Sequence, residues 1–340
     1  MNEHGGNIFI NDAEYDFSAN LNPLGMPVSV KKAVLDNWDL WERYPDPDYT
    51  ELRKNLSEYE AVPAENIVCG NGAADLIYRL VQALRPQKAV IPVPTFSEYK
   101  KALTEYGCTV NEYLMNSDYL ALNDDLLDKL TENVDMVFIC HPNNPTGICI
   151  SAEMLGKLAE RCLKNKIYLV CDECFLGFVD NGFSIKSFMN EYVIILKAFT
   201  KMYAMPGLRL GYALFGSSEL AAKVHKTGQF WSVSAPAQIA GIAALKESGY
   251  QEKTRELISR ERKYLQEQLT VMHLLYYPSQ ANFILFRAEK GLEKALLKEK
   301  ILIRCCGNYT GLDQSYYRIA IRTHEENEIL VSALRRCING

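Results

Sequence analysis

The chain has 340 residues, 48% of them apolar and 23% charged, with a formal net charge of −5. That length suggests about two domains with room for a sizeable core, and the composition is ordinary for a globular protein. The mild acidity argues against a nucleic-acid partner, which calls for a basic face or stripe.

The chain opens MNEHGGNIFI, without the basic start and apolar run of a secretory leader. It has ten cysteines, with no regular disulfide spacing. Both features lead us to expect reduced thiols in the cytoplasm. Cys171 and Cys174 form a CxxC, but it lies in the apolar run IYLVCDECFLGF with no second pair at zinc-like spacing. A strand carrying thiols is the expectation there, and no metal.

From about residue 65 to 240 the pattern alternates between strand and helix. NIVCG reads as a short strand and AADLIYRLVQAL as a helix; KAVIPVP is a strand and FSEYKKALTEYG a helix. CTVNEYLM, DMVFICHP, KIYLVCDE and EYVIILKAF follow as further strands. Such alternation predicts an α/β fold with a mostly parallel sheet covered by helices. Ligands of such sheets sit beyond the carboxyl ends of the strands. Thr227–Leu245 carries no charge, but Pro236, two glutamines and three Ser/Thr residues make it a poor membrane span. A loop leading into a buried helix is expected.

Three strand ends carry chemistry. In CGNGAAD (Cys69–Asp75), two glycines allow a tight turn, and the helix that follows directs N–H groups outward, which suits a phosphate. In HPNNPTG (His141–Gly147), Asn143 and Asn144 offer donors and acceptors ahead of a proline turn. In VCDECF (Val170–Phe175), Asp172 and Glu173 close a strongly apolar strand, where a carboxylate is costly unless it meets a cation. A fourth stretch, LKAFTKMYAMPGLRLGY, places Lys197 and Lys201 four apart ahead of Arg209. Lysine is the residue that bonds carbonyl groups covalently.

Together these features list the needs of pyridoxal phosphate: a helix N-terminus, hydroxyl and arginine for the phosphate, a carboxylate for the pyridinium, an amide for the phenolic oxygen, an aromatic lid and a lysine. The combination of NNPTG, VCDE and TKMYAMPGLRLGY resembles the fold-type I aminotransferases of class I/II over nearly the whole chain. The resemblance is nearest to the branch holding the histidinol-phosphate aminotransferases and the L-threonine-O-3-phosphate decarboxylases of cobalamin synthesis. It implies a homodimer with shared active sites. It also implies a large domain at 46–240 and a small domain formed by 1–45 with 241–340. Carried over residue by residue, it makes Lys201 the cofactor-bonding lysine, with Thr200 and Arg209 on the phosphate. Asp172 then pairs with the pyridinium, Asn144 donates to the ring oxygen, and Phe96 stacks on the ring. Gly72, Ala73 and Ala74 form the phosphate turn. Lys197 has no catalytic counterpart. Tyr44, in ERYPDPDY, matches a tyrosine that reaches the phosphate of the neighbouring subunit, and Arg318 matches the arginine that holds the substrate carboxylate.

Three departures point within that resemblance to the decarboxylase branch. HGGN (His4–Asn7) precedes DFSANLNPLG, where Leu21 replaces the glutamate usual between Asn20 and Asn22. Phe175 stands where most transaminases have a tyrosine. Arg322, in RIAIRTHEEN, replaces a glycine. RIAIR also reads as a strand, which puts Arg318 and Arg322 on one face. The implied substrate is a small dianion held by both arginines with His4, Gly5, Gly6, Asn7, Asn20 and Asn144. The implied reaction is the pyridoxal-phosphate-dependent decarboxylation of L-threonine O-3-phosphate to (R)-1-aminopropan-2-yl phosphate. The alternative is transamination, as in histidinol-phosphate aminotransferase. No nucleic acid or membrane partner is expected.

Overall fold

The structure is a computed structural model and describes residues 5–116 and 118–339. Twelve strands run in chain order: β1 (Tyr15–Asp16), β2 (Ile67–Gly70), β3 (Lys88–Val93), β4 (Thr109–Leu114), β5 (Met136–Cys140), β6 (Tyr168–Asp172), β7 (Val193–Ala198), β8 (Gly211–Phe215), β9 (Phe283–Arg287), β10 (Ile301–Leu302), β11 (Arg304–Cys305) and β12 (Tyr316–Ala320). Seven of them form one sheet in the order β2-β8-β7-β6-β5-β3-β4. Every pairing within it is parallel except the two made by β8. The central strands β5, β6 and β7 are almost wholly buried, as runs such as MVFIC and VIIL require when helices cover both faces.

The six strands read from the sequence all appear. The seventh, β8, follows the GLRLG turn and doubles back against β7. Its antiparallel course leaves β2 running the same way as β7. The carboxyl ends of β2, β5, β6 and β7 therefore meet at one edge of the sheet, and there the four loaded segments converge. Helix Gly72–Leu84 begins directly after β2, and the short helix Phe199–Met202 directly after β7.

The C-terminal part adds an antiparallel sheet in the order β11-β12-β9, while β1 pairs with β10, so the N-terminal arm is bound to the C-terminal part of the chain. The uncharged stretch ending at Leu245 is a loop followed by helix Ala235–Leu245, with Pro236 in its first turn. Among the described residues no helix is long and apolar enough to cross a membrane.

Candidate active site

A cavity of about 410 Å³ opens at the strand ends. Its walls include Gly5, Asn20, Ala73, Ala74, Phe96, Asn144, Asp172, Thr200, Lys201, Arg209 and Arg318. Residues up to 313 positions apart in sequence thus converge on one space: the parallel strands end there, and the N-terminal arm with Gly5 and β12 with Arg318 close over it.

The phosphate end is built around the start of helix Gly72–Leu84. No side chain caps this helix; Asp75 turns back to accept a hydrogen bond from the Asn71 N–H at 2.9 Å. The first-turn amides of Ala73 and Ala74 are left to face the cavity, which favours an anion. Gly72 has φ +81°, and a Cβ there would stand 2.5 Å from the Arg209 guanidinium. The conformation favours glycine, and a side chain there would displace the end of Arg209. Gly211 packs as closely from β8, where a Cβ would meet the Ala73 amide nitrogen at 2.5 Å. Arg209 itself adopts a left-handed conformation (φ 59°), an uncommon state for a bulky residue and one that clusters at functional sites. Its guanidinium donates to the carbonyls of Pro206 and Asn71.

Asp172 ends β6 and is only 6% exposed. Tyr99 donates to its Oδ2 at 2.6 Å, and the Cys174 amide donates to its Oδ1 at 2.9 Å. Both partners are neutral, and the carboxylate is suited to pair with a cationic ring nitrogen. Burial and the Asp172 carboxylate hold the Tyr99 phenol well above its ordinary pKa, so it remains a donor. Lys201 faces the same cavity. Burial is the main cause that lowers its pKa, opposed by Cys174 and reinforced by Arg318 and Arg209. A buried amine with a lowered pKa is more readily neutral and nucleophilic.

At the substrate end Arg318, buried on β12, donates to Asn144 Oδ1 and, at 2.9 Å, to the Ser18 carbonyl. Among the described residues its Nε has no partner. The bond fixes the Asn144 amide with its NH₂ end turned away from the arginine. Asn20 is buried on the wall, and its Oδ1 has no partner among the described residues. Gly5 lies against Ser18, where a Cβ would stand 2.1 Å from the carbonyl oxygen.

Several expected positions differ. Arg322 does not share a face with Arg318 in the cavity. β12 ends at Ala320, and Arg322 turns to Glu326 at 2.6 Å, beside the start of helix His324–Asn339. The second buried arginine of the cavity is instead Arg304, on β11 and in register with Arg318. Gly6 spends its N–H on Ser18 Oγ at 2.7 Å, and the Asn7 carbonyl accepts from Asn11, so neither joins the wall. Tyr44 is 80% exposed and stacks on Trp231 at 4.3 Å, away from the cavity of its own chain. His4 lies outside the described residues.

Sequence reasoning also passed over Tyr99, Ser18, Cys174 and Tyr309, which line the cavity. Tyr99 had a signal: it follows Phe96 by three in PTFSEY, and residues three apart at a helix start share a face. Arg304 had none, because its relation to Arg318 depends on strand register.

The donor set fits pyridoxal phosphate: uncapped helix amides with Arg209 and Thr200 for phosphate, Asp172 for a ring cation, Phe96 for the ring face, and Lys201 for the aldehyde.

Comparison with known proteins agrees. The family model of aminotransferase class I and II matches residues 13–334. A threonine-phosphate decarboxylase of Salmonella typhimurium is 41% identical, over 99% of this chain and 97% of its own length. An adenosylcobalamin biosynthesis bifunctional protein CobDQ of Leptospira interrogans is 31% identical, over 99% of this chain and 41% of its own. The histidinol-phosphate aminotransferase structure from Clostridium acetobutylicum superposes with a TM-score of 0.88 at 31% identity, covering 96% of this chain and 99% of that one. The chain belongs to the class I and II aminotransferase family, the fold-type I enzymes that use pyridoxal phosphate.

Proposed function

We propose that the protein decarboxylates L-threonine O-3-phosphate to (R)-1-aminopropan-2-yl phosphate, with pyridoxal 5'-phosphate as cofactor, in cobalamin synthesis. The observation that carries the reading is the pair of buried arginines, Arg304 and Arg318, in register on β11 and β12 at one cavity. Two guanidinium forks suit a substrate that bears a carboxylate and a phosphate close together. The similarity to the Salmonella and Leptospira proteins supports the same substrate and pathway.

When bound, the cofactor supplies an electron sink conjugated to the substrate Cα. The chain supplies the rest. Asp172, held by Tyr99 and the Cys174 amide, would pair with the ring nitrogen and favour its protonated form. Phe96 would cover the ring, and Phe175, which cannot donate a hydrogen bond, stands on the wall near the carboxyl end of β6. Arg304 and Arg318 would bind the two anions and so present the Cα–carboxylate bond for cleavage. Breaking that bond releases carbon dioxide and leaves its electron pair at Cα. Lys201 is placed to deliver the proton that takes the carboxylate's position.

The 46–240 segment, which contains the seven-stranded sheet, serves as the large domain, and 1–45 with 241–340 as the small one; the β1–β10 pairing supports that division. The working form is a homodimer. Tyr44, Trp38, Trp41, Phe230 and Trp231 are exposed large aromatics, which supports an interface there, and from it Tyr44 would reach the phosphate of the neighbouring subunit. All ten cysteines are free thiols, which supports a cytoplasmic location.

The close superposition on the Clostridium aminotransferase favours transamination as the second reading. Two assays on cofactor-loaded protein separate them. The first offers O-phospho-L-threonine and follows carbon dioxide; the second offers histidinol phosphate with 2-oxoglutarate and follows glutamate. Carbon dioxide without glutamate is expected. Glutamate without carbon dioxide would overturn the reading.

A further inference from the structure

Behind the active-site cavity lies a second one, also of about 410 Å³, and Cys174 and Ala198 line both. Residues close in sequence line opposite sides of this wall. Asp172 faces the cofactor side and Glu173 the rear; Lys201 faces the cofactor side and Lys197 the rear.

Lys197 is shared by two buried carboxylates. Its Nζ donates to Glu60 Oε1 at 2.9 Å and Oε2 at 3.1 Å, and lies 3.9 Å from Glu173 Oε2. Glu60, at the end of helix Thr50–Glu60, also accepts from Tyr212 at 2.6 Å and Lys186 at 3.0 Å. Glu173 is otherwise held by the Ser184 hydroxyl and the Ile185 amide. Tyr59 adds a further titratable group on the same side. Burial raises the Glu173 pKa, and Lys197 opposes it. For Glu60, burial is outweighed by Lys197, Tyr212 and Lys186, and its pKa falls. Arg255 lines the same rear cavity and Lys186 stays on Glu60, so removal of Lys197 takes from Glu173 the cation that stands 3.9 Å from it.

This network is joined covalently to the chemistry. The Glu173 amide donates to the Leu196 carbonyl at 2.9 Å, and Asp172 is in register with Leu196. One peptide separates Glu173 from Asp172, and the last residues of β7 separate Lys197 from the helix that carries Lys201.

We propose that Lys197 is a positioning residue: by balancing Glu60 and Glu173 behind the wall, it fixes the placement and electrostatic surroundings of Asp172 and Lys201 in front of it. The proposal rests on the reading of Lys201 as the cofactor-bonding lysine. It gives a role to the lysine for which the family resemblance offers none.

The test is the pH midpoint of the visible absorbance of the lysine-bound cofactor, titrated in holoprotein alongside thermal unfolding. Lys197→Met removes a cation and should raise the midpoint by about half a pH unit or more. Lys197→Arg should restore it. Glu173→Gln removes the opposing carboxylate and should lower the midpoint, so the test stands even where the methionine variant fails to fold. Coloured holoproteins whose midpoints stay closer than about half a unit to the native value would reduce Lys197 to a structural ion pair, whatever the melting temperatures do. A native protein with no such absorbance would instead remove the cofactor reading, and the proposal with it.

Discussion

Tyr99 donates a 2.6 Å hydrogen bond to Asp172, and both groups are buried. A phenol held protonated by burial and by the carboxylate it serves is a fixed orienting group. Tyr99→Phe keeps the ring and its stacking on Phe138 but frees one carboxylate oxygen. Loss of a hydrogen bond to a charged group costs about 1.5–3 kcal/mol. We expect kcat to fall by roughly tenfold or more, with the melting temperature changed by only a few degrees. Steady-state kinetics and thermal unfolding check this.

Arg304 and Arg322 provide a paired comparison. Arg304→Met removes a charged fork from the cavity and should reduce kcat/KM for O-phospho-L-threonine by about tenfold to a hundredfold. Arg322→Met removes an ion pair with Glu326 that lies outside the cavity. Such pairs contribute about 1 kcal/mol or less, so KM should stay near the native value. The reverse ranking would return Arg322 to the substrate.

Gly72→Ala should weaken the cofactor selectively. The backbone is left-handed at φ +81°, and the new methyl group would press on Arg209 from 2.5 Å. Strain of about 1 kcal/mol and a displaced guanidinium both act on the phosphate. We expect the dissociation constant for pyridoxal phosphate to rise about tenfold or more, measured by equilibrium binding.

Lys201 sets a pH dependence. Burial lowers its pKa below the usual lysine value, and Arg318 and Arg209 add to the effect. Because the neutral amine is the reactive form, cofactor bonding should be lost as pH falls through the lowered pKa and be fully present above it. The rate of pyridoxal phosphate capture by apoprotein should therefore rise with pH and level off below the usual lysine pKa of about 10.4. Lys201→Ala should abolish capture, whereas Lys197→Ala should not.

The sheet was legible because β5, β6 and β7 are buried on both faces and read as unbroken apolar runs. Asp172, Asn144 and Lys201 were legible because each lies at or just beyond such a run. β8 was harder to see. Its short YALF run follows a turn and reverses direction, and no local pattern reports that reversal. The RIAIR stretch misled for a related reason. Alternation continues through Arg322, but the chain leaves the sheet at Ala320, where Thr323 and Glu326 organise the next helix instead. Arg304 belongs to a two-residue strand whose meaning comes from its antiparallel register with Arg318. Pairings of that kind are tertiary facts, and hydrophobic periodicity does not encode them.

The most direct test of the account is the product formed from O-phospho-L-threonine in deuterium oxide by cofactor-loaded protein. The account predicts one carbon dioxide per product molecule and a single deuterium on the carbon that bore the carboxylate. Recovery of the carboxylate in a keto acid, or deuterium exchanged into unreacted substrate without carbon dioxide, would contradict it.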